Sequence, residues 1–100
     1  MVTVIFRAKI KAGKEDEAVA AMTKMAEAVE KEEAGTIIYA VCRNQEEPLE
    51  LIVLESYKDD DAFMAHMGSS HVANMRAAFG ELFDGARVER LERVAGFARG

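Results

Sequence analysis

Apolar and polar residues alternate over the first ten positions, with Val4, Phe6, Ala8 and Ile10 on one side and Thr3, Ile5, Arg7 and Lys9 on the other. That two-residue period predicts a β-strand over 2–10. The period then changes. From about Lys14, Ala18, Met22, Met25 and Val29 recur at i, i+4, i+7 and i+11, while Lys24, Glu27, Lys31 and Glu32 lie off the stripe, which predicts a long amphipathic helix. Glu15, Asp16 and Glu17 place negative charge at its positive end, and Gly35 suits the left-handed position that closes such a helix. Thr36 to Arg43 and Leu49 to Tyr57 are rich in β-branched, aromatic and aliphatic residues, and the polar NQEEP between them predicts a hairpin. Asp59 is placed to cap a short helix, Asp60 to Met67. Gly68, Ser69 and Ser70 interrupt it before a second helix runs to about Phe83, which Gly85 closes. Arg87 to Val94 mixes β-branched residues with five charges, the composition of an edge strand.

The element order is therefore β-α-β-β-α-β with a broken second helix, an α+β chain of the ferredoxin-like, split-βαβ type with an antiparallel sheet, in one domain over residues 1–100. Two helices cover one face of such a sheet. Yet the second strand sets Ile37, Tyr39 and Val41 against Ile38, Ala40 and Cys42, and the third sets Leu49, Leu51 and Val53 against Ile52 and Leu54. With both faces apolar, a second sheet is expected to cover the open one, most simply that of an identical chain across a two-fold axis, with a hetero-partner as the alternative.

Composition narrows the partners. The chain of 100 residues is half hydrophobic and carries a net charge of −5, with acidic runs at Glu15 to Glu17, Glu30 to Glu33 and Asp59 to Asp61. These runs read as solvated faces and helix starts, and the negative charge argues against nucleic acid as a partner. No twenty-residue apolar run is present, so no membrane span is expected. A strand at the N-terminus in place of a signal peptide, and a single cysteine, Cys42, agree with a reducing, cytoplasmic setting. Cys42 reads as a small strand residue without chemistry.

Only His66 and His71 titrate near neutrality unperturbed, so proton transfer would fall to them first. Ala62, Phe63, His66 and Met67 share one side of the short helix, and His71, Met75, Phe79 and Leu82 one side of the next. Both imidazoles therefore point inward or toward a cleft, as catalytic groups or as hydrogen-bonded core residues. His71 lies in a first helical turn, where the positive dipole end favours a neutral imidazole. Glu55 continues the apolar face of Leu49, Leu51 and Val53, so either it is buried with a partner or that strand end opens to a pocket, where it could orient a histidine. Tyr39 and Tyr57 fit either sheet packing or a hydrogen bond to a phenolic ligand. No third His or Cys accompanies the two histidines, so no metal site is expected, and no nucleotide-binding or nucleophile-elbow motif is present, so no cofactor is expected.

The segment ESYKDDDAFMAHMGSSHVANM, Glu55 to Met75, resembles the antibiotic biosynthesis monooxygenase (ABM) family in its Glu, the aromatic two positions later, the acidic turn, and the His followed by a small-residue step and a second His. The likeness extends in element order over nearly the whole chain, including AGTIIYAV after the long helix. It implies a ferredoxin-like protomer, a homodimer of facing sheets forming a dimeric α+β barrel, and cofactor-independent oxygenation of phenolic or quinol-type substrates by dioxygen. Carried over to this chain, Glu55, Tyr57, His66 and His71 match the pattern and Tyr39 takes the strand-two aromatic position. His66 is then the base or ligand-orienting group with Glu55 as its support. The first strand has no Asn and the chain no Trp, a departure from the polyketide-oxidising and haem-degrading branches. The expected pocket lies between sheet and helices, walled by Phe63, Met67, Met75 and Phe79. A small-molecule isomerase of the quorum-signal-processing type using the same histidines, and a non-catalytic ligand-binding stress or regulatory dimer, are the alternatives.

Overall fold

The computed structural model describes residues 1–99. The elements follow as β1 (Val2–Ile10), α1 (Glu15–Glu32), β2 (Thr36–Arg43), β3 (Glu50–Tyr57), α2 (Asp60–Met67), α3 (Ser70–Leu82) and β4 (Phe83–Leu91). They build one antiparallel sheet of order β2-β3-β1-β4, the ferredoxin-like arrangement, with β2 and β4 at its edges. No helix among the described residues is long and apolar enough to cross a membrane.

The alternation of β1 determines how the layers meet. Val2, Val4, Ala8 and Ile10 are buried on the helical side, and pairing Val4 with Glu55 and Phe6 with Val53 puts Leu51, Val53, Glu55 and Tyr57 on that side too. The stripe of α1 closes over them through Ala18, Met22, Met25 and Val29, all buried. Burying side chains of this size removes apolar surface from water at roughly 25 cal/mol per Å2, which is what holds the helices on the sheet.

Three local expectations are corrected. Gly35 is not in the left-handed region, since the positive-φ residues are Gly13, Gly85 and Gly96. Its constraint is steric, because a Cβ there would lie 2.6 Å from Ala62 Cβ, so glycine lets α2 approach the α1–β2 connection. Gly85 does not close α3, which ends at Leu82 and passes directly into β4. Between the pairs Ala8–Ala86 and Ile10–Phe83 the last strand carries one extra residue, a β-bulge, and Gly85 (φ +134°) supplies its positive φ. The last strand accordingly starts four residues before the predicted Arg87 and ends three residues before the predicted Val94.

The other sheet face carries Ile5, Ile38, Ala40, Ile52, Leu54 and Leu91, of which Ile38, Leu54 and Leu91 are more than two-fifths exposed. It is less uniformly apolar than its sequence suggests. Arg7 stands at its centre, with Nε 2.7 Å from Glu89 and an Nη 3.8 Å from Glu50.

Candidate functional site

Three elements bring one titratable side chain each to a common point. α1 ends at Glu32, and Glu33, its C-terminal cap, turns its carboxylate inward until only 8% of the side chain is exposed. α2 starts where Asp59 accepts a hydrogen bond from the Ala62 backbone N–H, which sets its rotation and buries His66 on its inner side. α3 starts at the next cap, Ser69, which accepts from the Val72 N–H and donates to the His66 carbonyl at 2.7 Å, tying the second histidine-bearing helix to the first. His71 occupies the first turn of that helix.

Both histidines converge on Glu33. His66 Nδ1 lies 3.0 and 2.9 Å from its two carboxylate oxygens, His71 Nε2 meets Oε2, and Thr36 Oγ1 donates to Oε1 at 2.6 Å. A carboxylate at the negative end of a helix dipole, and buried, is disfavoured on both counts. Burial indeed pushes the Glu33 carboxyl up, but the hydrogen bonds from Thr36, His66 and His71 and the charge of His66 outweigh it and hold the group below the usual carboxylate range. Nδ1 of His71 is buried without a hydrogen-bond partner. Glu32 Oε2 lies 3.4 Å from it, a close contact but not in hydrogen-bonding geometry.

A second polar group stands on the sheet beneath His66. Tyr57 donates its hydroxyl to Glu55 Oε1 at 2.5 Å, and both residues are buried. Burial raises the Glu55 carboxyl above its ordinary value, more than the Tyr57 hydrogen bond and the His66 charge lower it. Burial likewise raises both tyrosines, Tyr57 further through its bond to Glu55 and Tyr39 through the charges of Glu55 and Glu33. The rings of Tyr39 and Tyr57 flank the His66 ring at centroid distances of 5.5 and 5.4 Å.

His66, Glu55 and Tyr39 line one end of a mostly apolar cavity of about 180 Å3 between sheet and helices. Phe6, Met22, Met25, Met67, Met75 and Phe79 are among its walls, and exposed Arg76 and Val88 mark a mouth between α3 and β4. With Nδ1 engaged by Glu33, the nitrogen left to His66 for this cavity is Nε2. On the far side of Glu33 a surface cleft of about 310 Å3 is lined by Glu32, Glu33, Ser69, Ser70 and His71. A larger open trough of about 460 Å3 at the charged end of the sheet, beside Arg7, Lys9, Glu47 and Asp84, gathers no histidine and has less claim to chemistry.

The structure thus separates residues that the sequence grouped. Tyr39, Met67, Met75 and Phe79 line the cavity with His66 and Glu55, whereas His71 lies in the surface cleft. Tyr57 stands behind Glu55, and Phe63 packs edge-on against Tyr57 beneath the Arg90 guanidinium, neither of them on the cavity wall. The support of His66 is Glu33, not Glu55, with which it shares no hydrogen bond among the described residues. Glu33 belongs to the acidic run Glu30 to Glu33, whose composition alone predicts a solvated face. The one available signal was its place just past the end of the apolar stripe, beside Gly35, where the chain must turn back over the sheet.

The sequence profile described as antibiotic biosynthesis monooxygenase matches residues 1–78. No curated protein matches the chain significantly. Among solved structures, one from Caulobacter crescentus CB15, described as a candidate antibiotic biosynthesis monooxygenase, is 27% identical with a TM-score of 0.87, covering 94% of this chain and 90% of its own. Rv0793 from Mycobacterium tuberculosis is 26% identical with a TM-score of 0.87, covering 97% and 98%. A conserved protein from Methanosarcina mazei Go1, at 24% identity and a TM-score of 0.84, covers 92% and 91% and shares the fold.

Proposed function

The chain belongs to the antibiotic biosynthesis monooxygenase family, and on that footing we propose that it is a cofactor-independent monooxygenase of a small phenolic or quinol-type substrate. The observation that carries this reading is the position of His66, between a carboxylate on Nδ1 and an apolar cavity on its other side. In that arrangement Glu33 holds the Nδ1–H tautomer, Nε2 accepts a proton from a bound phenol, and the adjacent carboxylate stabilises the imidazolium that forms. An apolar cavity of about 150 Å3 accommodates benzene, so the volume of about 180 Å3 suits a one-ring or compact two-ring compound. The reaction balances without a cofactor: a phenol plus dioxygen gives a quinone plus water. One oxygen atom enters at a ring carbon as the new carbonyl, and the other leaves as water with the hydroxyl proton and the displaced ring hydrogen. The substrate supplies all four electrons. The phenolate is the electron-rich species that reacts, and the methionine and phenylalanine walls keep bulk water from it.

The same cavity supports a second reading. Glu55, protonated to higher pH than an ordinary carboxyl by its burial, faces the cavity together with His66. An acid and a base on one cavity are the equipment of a proton-shuttling isomerase. Oxygen uptake on a panel of hydroquinones, catechols and naphthols, with autoxidation subtracted, separates the two. Enzyme-dependent uptake that falls at least about 100-fold in His66→Ala, with the circular dichroism spectrum retained, is the expected result. Absence of uptake with every compound, or unchanged uptake in the variant, overturns the oxygenase reading.

The functional unit is a homodimer closed through the open sheet face. Its support is the apolar strip of Ile5, Ile38, Ala40, Ile52, Leu54 and Leu91, which no element among the described residues covers.

A further inference from the structure

Glu33, His66 and His71 also hold their donor atoms in the arrangement of a metal site. One carboxylate oxygen, His66 Nδ1 and His71 Nε2 all lie within 4.8 Å of one another. The sequence concealed this because the third donor is an oxygen from the end of α1, thirty-three positions from the first histidine.

Hydrogen bonding alone leaves the cluster incomplete. When each imidazole donates one N–H to Glu33, the other nitrogen of His71 is a buried lone pair with no donor to meet it. Ligation through Nε2 reverses that: the ring proton moves to Nδ1, and a reorientation of exposed Glu32, whose Oε2 lies 3.4 Å away, brings it the acceptor it needs. A ligating imidazole that passes its remaining N–H to a carboxylate is the usual outer support of a metal-binding histidine. Thr36 Oγ1 gives Glu33 a comparable support at 2.6 Å. The surface cleft bordered by Glu33, Ser69 and His71 opens this point to solvent, giving a cation a way in and a water a fourth position.

We propose that Glu33, His66 and His71 form a binding site for a zinc-class divalent cation. Two imidazole nitrogens and one carboxylate suit Zn2+, Co2+, Ni2+ or Cu2+ rather than Mg2+ or Ca2+, which prefer all-oxygen shells. Bonds of about 2.0–2.1 Å in a tetrahedral shell separate donor atoms by roughly 3.3 Å. The three donor atoms, within 4.8 Å of one another, therefore have to adjust their mutual distances on binding. A cation on His66 Nδ1 leaves the ring proton on Nε2, facing the cavity, where the ring donates but cannot accept. Cation binding and a base role for His66 thus exclude one another: a chain that holds the cation loses its proton acceptor, whereas failure to bind any cation leaves the oxygenase reading untouched.

The test is titration of EDTA-stripped full-length chain with CoCl2, then ZnCl2, followed by visible absorbance, calorimetry and the histidine ring nitrogen resonances. Expected are one Co2+ per chain with the intense d–d absorption of four- or five-coordination, its displacement by Zn2+, and ring-nitrogen shifts that report ligation at His66 Nδ1 and His71 Nε2 with the ring protons on His66 Nε2 and His71 Nδ1. His71→Ala and Glu33→Gln should each weaken binding by more than tenfold, and Glu32→Gln by about tenfold. Should a variant fail to fold, the resonances of the wild-type chain still decide the matter. No stoichiometric binding at 100-fold molar excess of Zn2+, binding unchanged in His71→Ala, or ligation through His66 Nε2 or His71 Nδ1 instead would overturn the proposal.

Discussion

Glu55 sits on the buried face of a strand whose other members are Leu51, Val53 and Tyr57, and its environment makes a prediction with a definite sign. Its carboxyl is raised above 4.5 by burial, so between 4.5 and the folded value the folded chain binds more protons than the unfolded one. Stability then falls as pH rises through that window. Glu55→Gln keeps an acceptor for the Tyr57 hydroxyl and removes the charge. Thermal melts should show the variant more stable than wild type at pH 7, with the difference shrinking toward pH 4.5, and a less stable variant at pH 7 would contradict this account. Glu33 behaves oppositely. Its folded value is lowered, so its contribution is present above 4.5 and lost as pH falls through the folded value. At Gly35 the constraint is contact: a methyl group 2.6 Å from Ala62 Cβ forces α2 away from the α1–β2 connection. Gly35→Ala should cost about 1–3 kcal/mol, and adding Ala62→Gly should restore most of it in denaturant unfolding.

Among the elements, the junction of α2 and α3 carries the most. Asp59 makes the capping hydrogen bond that its place in the sequence predicts, and Ser69, legible only as part of the break between the helices, makes one as well. Ser69 does more than cap, since its donation to the His66 carbonyl couples the two histidine-bearing helices. Ser69→Ala should lose about 1–2 kcal/mol of stability in chemical unfolding. It should also weaken whatever His66 and His71 do together more than Asp59→Ala does, because only Ser69 links both helices. The end of α3 was misplaced for a physical reason. A glycine after an apolar helical stripe predicts a helix stop, but a strand bulge also favours positive φ, and spacing along the chain cannot tell the two apart.

For the whole molecule, the four-stranded sheet leaves one face without helices, and that face combines an exposed apolar strip with the Arg7–Glu89 and Arg7–Glu50 pairs. Packing against the same face of a second copy would bury Leu54 and Ile38. Leu54→Glu should therefore turn a dimer into a monomer in sedimentation velocity at micromolar concentration while far-ultraviolet circular dichroism stays unchanged. A wild-type chain that sediments as a monomer would refute the dimer directly.

The sequence by itself determined the order of elements and the inner face of each, because strand and helix periods are local properties written in Val4, Phe6 and Ala8 or in Ala18, Met22, Met25 and Val29. It also pointed to His66, His71 and Glu55, since titratable groups on apolar faces are visible as exceptions to a pattern. The tertiary structure alone decided which carboxylate they meet. Glu33 lies thirty-three positions from His66 and thirty-eight from His71, in a run of acids that look alike until folding turns one of them inward. A side chain past the end of a helix has no periodicity to reveal its direction. Only the packing of α2 against the α1–β2 connection, close enough to require glycine at 35, brings that carboxylate to the histidines.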